Sequence, residues 1–143
     1  SLKCNVSGDI EVDGHHTVED TGIVIGEVLK TAIGDKVGIN RYGTFYVPMM
    51  DTLVRVSLDF SGRSYLVFNA KMPSPIVGDF ETELVKDFFE AVSRNAGLEI
   101  HIDLIRGDNT HHIIEAVFKA FARALKEAVK VTGSDIPSTK GII

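Results

Sequence analysis

Four of the five histidines in this sequence stand in two clusters of one pattern, His15-His16-Thr17-Val18-Glu19 and His111-His112-Ile113-Ile114-Glu115. On a helix, residues four apart share a face one turn apart. His15 with Glu19, and His111 with Glu115, can therefore each grip one metal ion. The adjacent His16 and His112 point roughly a third of a turn away and can reach a second ion. Two such helices brought together could hold two metals. The ligands are imidazole and carboxylate without thiolate. That set suits manganese, iron or zinc, and a mixed nitrogen and oxygen octahedron points to manganese. Asp13, Asp20, Asp103 and Asp108 are candidates to orient the histidines from behind.

One His-His-x-x-Glu cluster is a weak signal, since a histidine pair at a helix start is usually incidental. Here His111 follows His15 by 96 residues, and each cluster heads an apolar periodic segment. Val18, Ile25, Val28, Leu29 and Ala32 recur at helical spacing up to Gly34, which predicts a helix over 15–33 closed by a C-terminal glycine. A second helix is expected over 110–131, with Ile114, Val117, Phe118, Phe121, Leu125 and Ala128 buried and His111, Glu115 and Lys119 on its other face. The small residues Gly22, Gly26, Ala116, Ala120 and Ala124 could draw the two clusters together. Ordinary helix packing is the plainer reading.

The segments between these helices position the rest. Leu2 to Val6 and Asp9 to Val12 read as strand pieces around Ser7-Gly8. From Lys36 to Ala70 the chain reads as a half-buried sheet, with Val54, Val56, Leu58 and Phe60 alternating with polar residues. Met72 to Gly78 reads as a loop, and Phe80 to Asn95 as a helix. Leu98, Ile100, Ile102 and Leu104 alternate with Glu99, His101 and Asp103, which sets His101 on the polar face of a strand. The repeat suggests a tandem duplication. Residues 1–50 are then the remainder of a first half whose beginning is missing, and 51–143 the second half, together one compact unit.

Composition narrows the classes. A chain of 143 residues with 44% hydrophobic content can bury a modest core. A net charge of −5 argues against a general nucleic-acid binder, which must neutralise many phosphates. The single cysteine, Cys4, excludes an internal disulfide and a thiolate-rich zinc site, and the cytoplasm is the expected location. No run approaches the roughly 20 apolar residues of a membrane span, so no membrane partner is expected.

The stretch Gly8-Asp9 through Asp13-Gly14-His15-His16-Thr17-Val18-Glu19-Asp20-Thr21-Gly22 resembles the first signature of imidazoleglycerol-phosphate dehydratases. Asn109-Thr110-His111-His112-Ile113-Ile114-Glu115-Ala116-Val117-Phe118-Lys119-Ala120 resembles the second. Arg41-Tyr42-Gly43, Ser61-Gly62-Arg63 and Pro137-Ser138-Thr139-Lys140-Gly141 look like further landmarks in the right order. The resemblance spans essentially the whole chain. It implies an α/β (α+β) fold, internally duplicated, each half a four-stranded sheet packed on helices. It also implies a hydro-lyase of histidine biosynthesis that dehydrates D-erythro-imidazole-glycerol phosphate to imidazole-acetol phosphate. Two Mn2+ ions per site are implied, with Zn2+ or Fe2+ as substitutes, held between the subunits of a large homo-oligomer, a 24-mer. Carried over by motif, His15, His16, Glu19, His101, His111, His112 and Glu115 are metal ligands. Arg41, Arg63, Lys119, Ser138 and Lys140 hold the substrate phosphate, as Arg forks, Lys charge and hydroxyl donors would.

The sequence departs from the family pattern in two places. The family carries an N-terminal Leu-Asp-His-Met-like motif with a further histidine ligand, and a glutamate acid/base, which leaves the catalytic residue here unassigned. Where the family reads Pro-Met-Asp-Glu, this chain reads Pro48-Met49-Met50-Asp51. Either departure would loosen an ion or misplace a proton-transfer group. The competing expectation is an inactive, truncated form that keeps metal binding and assembly. A metallohydrolase fits less well, because no HExxH-like motif leaves a helix glutamate free to activate water.

Overall fold

The computed structural model describes residues 3–141. Its elements in chain order are α1 (His15–Ile33), β1 (Tyr42–Met49), β2 (Thr52–Asp59), β3 (Tyr65–Asn69), β4 (Ile76–Val77), β5 (Phe80–Glu81), α2 (Leu84–Ala96), β6 (Glu99–Arg106) and α3 (Thr110–Ala128). Four strands form one sheet in the order β1-β2-β6-β3. Neighbours run antiparallel except β3, which lies parallel to β6 and is joined to it through the β4–β5 hairpin and α2.

Alternation along β2 and β6 decides the layers. Val54, Val56, Ile100 and Ile102 are fully buried and meet Phe89 and Val92 of α2 and Ile113 and Val117 of α3. The helices α2 and α3 thus cover one face, and α1 packs along the outside of α2. The other face stays open. It carries Tyr42, Thr44, Tyr46, Arg55, His101 and Tyr65, which follows from the two-residue period of a strand.

Several expectations hold closely. The helix over 15–33 has those bounds, and Gly34 takes φ 56° with its N–H donated to Lys30 O. His101 is exposed on the polar sheet face.

Others need correction. Residues 3–9 form no regular structure and 10–12 a turn, with the Val12 N–H donated to Asp9 O, so the expected strand pieces are absent; Leu2 lies outside the described residues. Residues 3–12 pair with no strand among the described residues, and Val12 is 79% exposed. The helix expected from Phe80 begins at Leu84. Phe80–Glu81 instead pair with Ile76–Val77 across Gly78-Asp79, because Gly78 supplies the positive φ of a two-residue hairpin turn. The last helix ends at Ala128 rather than Val131, where the chain turns to bridge Ile39 and donates the Thr132 N–H to Gly38 O.

Candidate metal centre

The first cluster opens α1. Asp13 Oδ1 accepts the His15 backbone N–H at 2.9 Å, which satisfies one of the unpaired donors of the helix start. One turn on, His15 Nε2 lies 3.7 Å from Glu19 Oε2, while Nδ1 lies 3.5 Å from Asp87 of α2. His16 stands on the neighbouring face, its ring 5.7 Å from that of His15.

The second cluster opens α3, where the Asn109 side chain caps the helix by accepting the His112 N–H at 3.1 Å. His111 Nε2 lies 3.3 Å from Glu115 Oε2, and the Lys119 ammonium takes the other oxygen. That ammonium is the main reason the Glu115 carboxyl is held below its usual range, with His111 adding to it. His112 Nδ1 lies 2.7 Å from Asp51 Oδ1 at the tip of the β1–β2 hairpin. Asp51 Oδ2 accepts the backbone N–H groups of Asp108 at 2.8 Å and Asn109 at 3.2 Å. These bonds, the one to His112 foremost, hold the Asp51 carboxyl far below the ordinary value.

Within one chain the clusters do not meet. Among the described residues, no group of three or more His, Cys, Asp or Glu side chains is placed to hold a metal ion. The small residues do not draw the clusters together. A Cβ on Gly22 or Gly26 would press on Phe88 O or Asn95 of α2, and Ala116, Ala120 and Ala124 are buried on the side of α3 that packs on β1 and β2. Each set of small residues serves its own interface.

Of the acids expected to orient the histidines, Asp13 accepts the His15 backbone N–H and Asp103 binds Arg55 and Asn69, while Asp108 meets Asp51 through its backbone N–H. Asp20 lines a recess of about 390 Å³ with His16 and the segment Cys4–Asp9. The carboxylates beside imidazole Nδ1 atoms are Asp51 and Asp87, neither of which had been singled out for that place. Asp51 stands at a tight turn and Asp87 lies on a separate helix, so no spacing rule links either to its histidine.

The basic residues divide between two regions. Arg41 forks onto Asp59 at 2.6 and 3.1 Å and donates to Pro137 O at 3.1 Å. Its pair with Asp59 raises the guanidinium's pKa, and its backbone takes φ 70°, a left-handed conformation costing about 1 kcal/mol or more for a side chain with a Cβ. Arg63 is 78% exposed and reaches Glu99 at 3.0 Å, and the Lys140 N–H donates to Ser138 Oγ at 3.2 Å. Arg41 donates its N–H to Ala128 O, at the far end of α3 from His112. Sixteen helical residues put the two about 24 Å apart, much longer than a small phosphorylated imidazole. Of the five phosphate candidates, Lys119 is the one paired with a residue of the second cluster.

The open sheet face carries its own ion pair beside His101. Arg55 Nη2 lies 2.8 Å from Asp103 Oδ2, and this bond is the main cause that lowers the Asp103 carboxyl. A carboxyl lowered in the folded state adds stability above its unfolded value and loses it as pH falls through the folded one. Arg55→Ala should therefore lower the denaturant midpoint at neutral pH, with the gap from the parent narrowing below about pH 4. Equal gaps at neutral and acidic pH would count against this pairing.

The family profile of imidazoleglycerol-phosphate dehydratase matches residues 1–125. The chain is 60% identical over 131 residues to the imidazoleglycerol-phosphate dehydratase of Syntrophomonas wolfei, covering 92% of this chain and 66% of the relative. It is 58% identical to that of Staphylococcus carnosus, covering 100% of this chain and 75% of the relative. The fold is similar to the crystal structure of imidazoleglycerol-phosphate dehydratase from Staphylococcus aureus subsp. aureus N315, with TM-score 0.84, 56% identity, and 90% of this chain and 72% of that one covered. The Pyrococcus furiosus enzyme in complex with (S)-C348 gives TM-score 0.77 at 37% identity, covering 90% of this chain and 71% of that one. The chain thus spans about two thirds to three quarters of the length of these relatives, and with its paired His-His-x-x-Glu helices it belongs to the imidazoleglycerol-phosphate dehydratase family of hydro-lyases.

Proposed function

We propose that this chain dehydrates D-erythro-imidazole-glycerol phosphate to imidazole-acetol phosphate in L-histidine biosynthesis, at a two-manganese site completed between copies of the chain. The observation that carries the reading is the pair of His–carboxylate grips at the starts of two helices, each beside a further carboxylate and both open to solvent. The donor set fits manganese, with Zn2+ or Fe2+ as substitutes, because every donor is an imidazole nitrogen or a carboxylate oxygen. His15, His16 and Glu19 from one copy, and His111, His112, Glu115 and His101 from others, are the ligands in this reading. The ion supplies Lewis-acid polarisation of the substrate's imidazole ring.

The remaining roles belong to side chains. Lys119, which pairs with Glu115 beside His111, would contribute its ammonium to the phosphate. Arg41, Arg63, Ser138 and Lys140 form the rest of the phosphate grip and come from another copy, since the length of α3 separates Arg41 from the cluster on the same chain. A large closed assembly, a 24-mer, meets that requirement. No helix among the described residues is long and apolar enough to cross a membrane, which accords with a cytoplasmic enzyme.

The test is formation of imidazole-acetol phosphate by Mn2+-loaded protein. Turnover should vanish when the metal is chelated and return with Mn2+. Absence of turnover in protein shown by elemental analysis to be fully metal-loaded would overturn the reading.

A further inference from the structure

A neutral imidazole carries one N–H and one lone pair, and only the nitrogen with the lone pair can bind a metal ion. Which nitrogen that is depends on what the other one bonds to. At His112 the partner is defined. Asp51 Oδ1 lies 2.7 Å from Nδ1, and an ionised carboxylate only accepts, so the bond requires the proton on Nδ1 and leaves the lone pair on Nε2.

The carboxylate cannot swing away freely. Its other oxygen accepts the N–H groups of Asp108 and Asn109, the two residues that lead into α3. Met50, at φ 53°, sets the turn that brings Asp51 to this place, and Asn109 holds the His112 backbone N–H. The hairpin tip, the helix start and the ring therefore share one carboxylate. Asp87 does not do the same for His15, because 3.5 Å is beyond a good hydrogen bond.

We propose that Asp51 is a positioning residue that fixes the Nδ1–H tautomer of His112 and so presents Nε2 to the metal. This rests on the metal-site reading above, but the tautomer is measurable without metal. The shortened acid at position 51 is then no defect, since an aspartate reaches the ring from this turn.

Asp51→Asn gives a sharp test. Its single side-chain oxygen is expected to keep the two backbone N–H bonds, turning the amide NH2 toward His112 Nδ1. A donor facing Nδ1 demands the lone pair there and moves the proton to Nε2. Long-range 15N–1H correlation of His112 in metal-free full chain at about pH 8.5, above the ordinary imidazole range, should show Nδ1–H in the parent and Nε2–H in the variant. Helical circular dichroism should be unchanged. Mn2+ affinity should fall on the order of 10–100-fold.

An Nε2–H ring in the parent, or an Nδ1–H ring in a folded Asp51→Asn chain, would overturn the assignment, as would a reversed tautomer with undiminished Mn2+ affinity. Should Asp51→Asn not fold, Asp51→Ala read by the same correlation must lose the Nδ1–H preference; keeping it refutes the proposal. A parent chain with Nδ1–H that binds no Mn2+ refutes both the metal-site reading and Asp51's presentation of Nε2 to an ion.

Discussion

His15→Ala and His111→Ala chains, each nearly inactive alone, should regain up to about a quarter of parental turnover when dissociated, mixed in equal amounts and reassembled. In the proposed two-metal site, each substitution removes one arm of a metal grip. Losing metal polarisation costs several kcal/mol of transition-state stabilisation, on the order of a thousandfold in rate. The recovery follows from geometry. Within one chain the first cluster lies against Asp87 of α2 and the second against Asp51 of the β1–β2 hairpin, and no third ligand joins either among the described residues. If a site draws its first cluster from one copy and its second from another, random mixing leaves about one site in four with both intact. Activity that stays at the level of the single variants, in oligomers verified to be mixed, would place both clusters in one chain.

The second large effect concerns stability. Gly43→Val should lower the melting temperature by about 10 °C or more, from a loss of about 3 kcal/mol or more. A Cβ at Gly43 would fall on the carbonyl oxygen of Ala124 and within 2.9 Å of the Ala128 nitrogen, both in the backbone of α3. Backbone cannot yield as a side-chain tip does. The helix must lift from β1, opening the layer where Ala120, Ala124 and Ala128 are fully buried and shifting the His111 end of the same rod. Gly133→Ala is the control, since an added Cβ there meets nothing within 4 Å and its φ is not positive; its effect should stay within about 0.5 kcal/mol. Thermal unfolding followed by circular dichroism separates the two, and equal melting temperatures would refute the close-packing account.

Much of this protein is legible along the chain because a side chain's face depends on local geometry. The 3.6-residue period and Gly34 place α1 at its observed bounds, and the alternation through Leu58 and Ile102 identifies the buried face of β2 and β6. The two His-His-x-x-Glu clusters are equally local, since residues four apart on a helix must share a face. That is why the paired grips could be named before any tertiary contact was known.

The partners of those grips are a different matter. Asp51 meets His112 across 61 residues of sequence and Asp87 meets His15 across 72, and no periodicity encodes either approach. The ending of α3 at Ala128 depends on pairing between Val131 and Ile39, far apart in sequence. Gly22 and Gly26 face α2 rather than the other cluster's helix for the same reason. The sequence by itself determined that the histidine and glutamate of each cluster share a helix face. Only the tertiary structure decided that one chain keeps its two clusters apart and that Asp51 stands behind His112, because helix and strand periods act over a few residues while packing and hydrogen bonds join positions far apart in sequence.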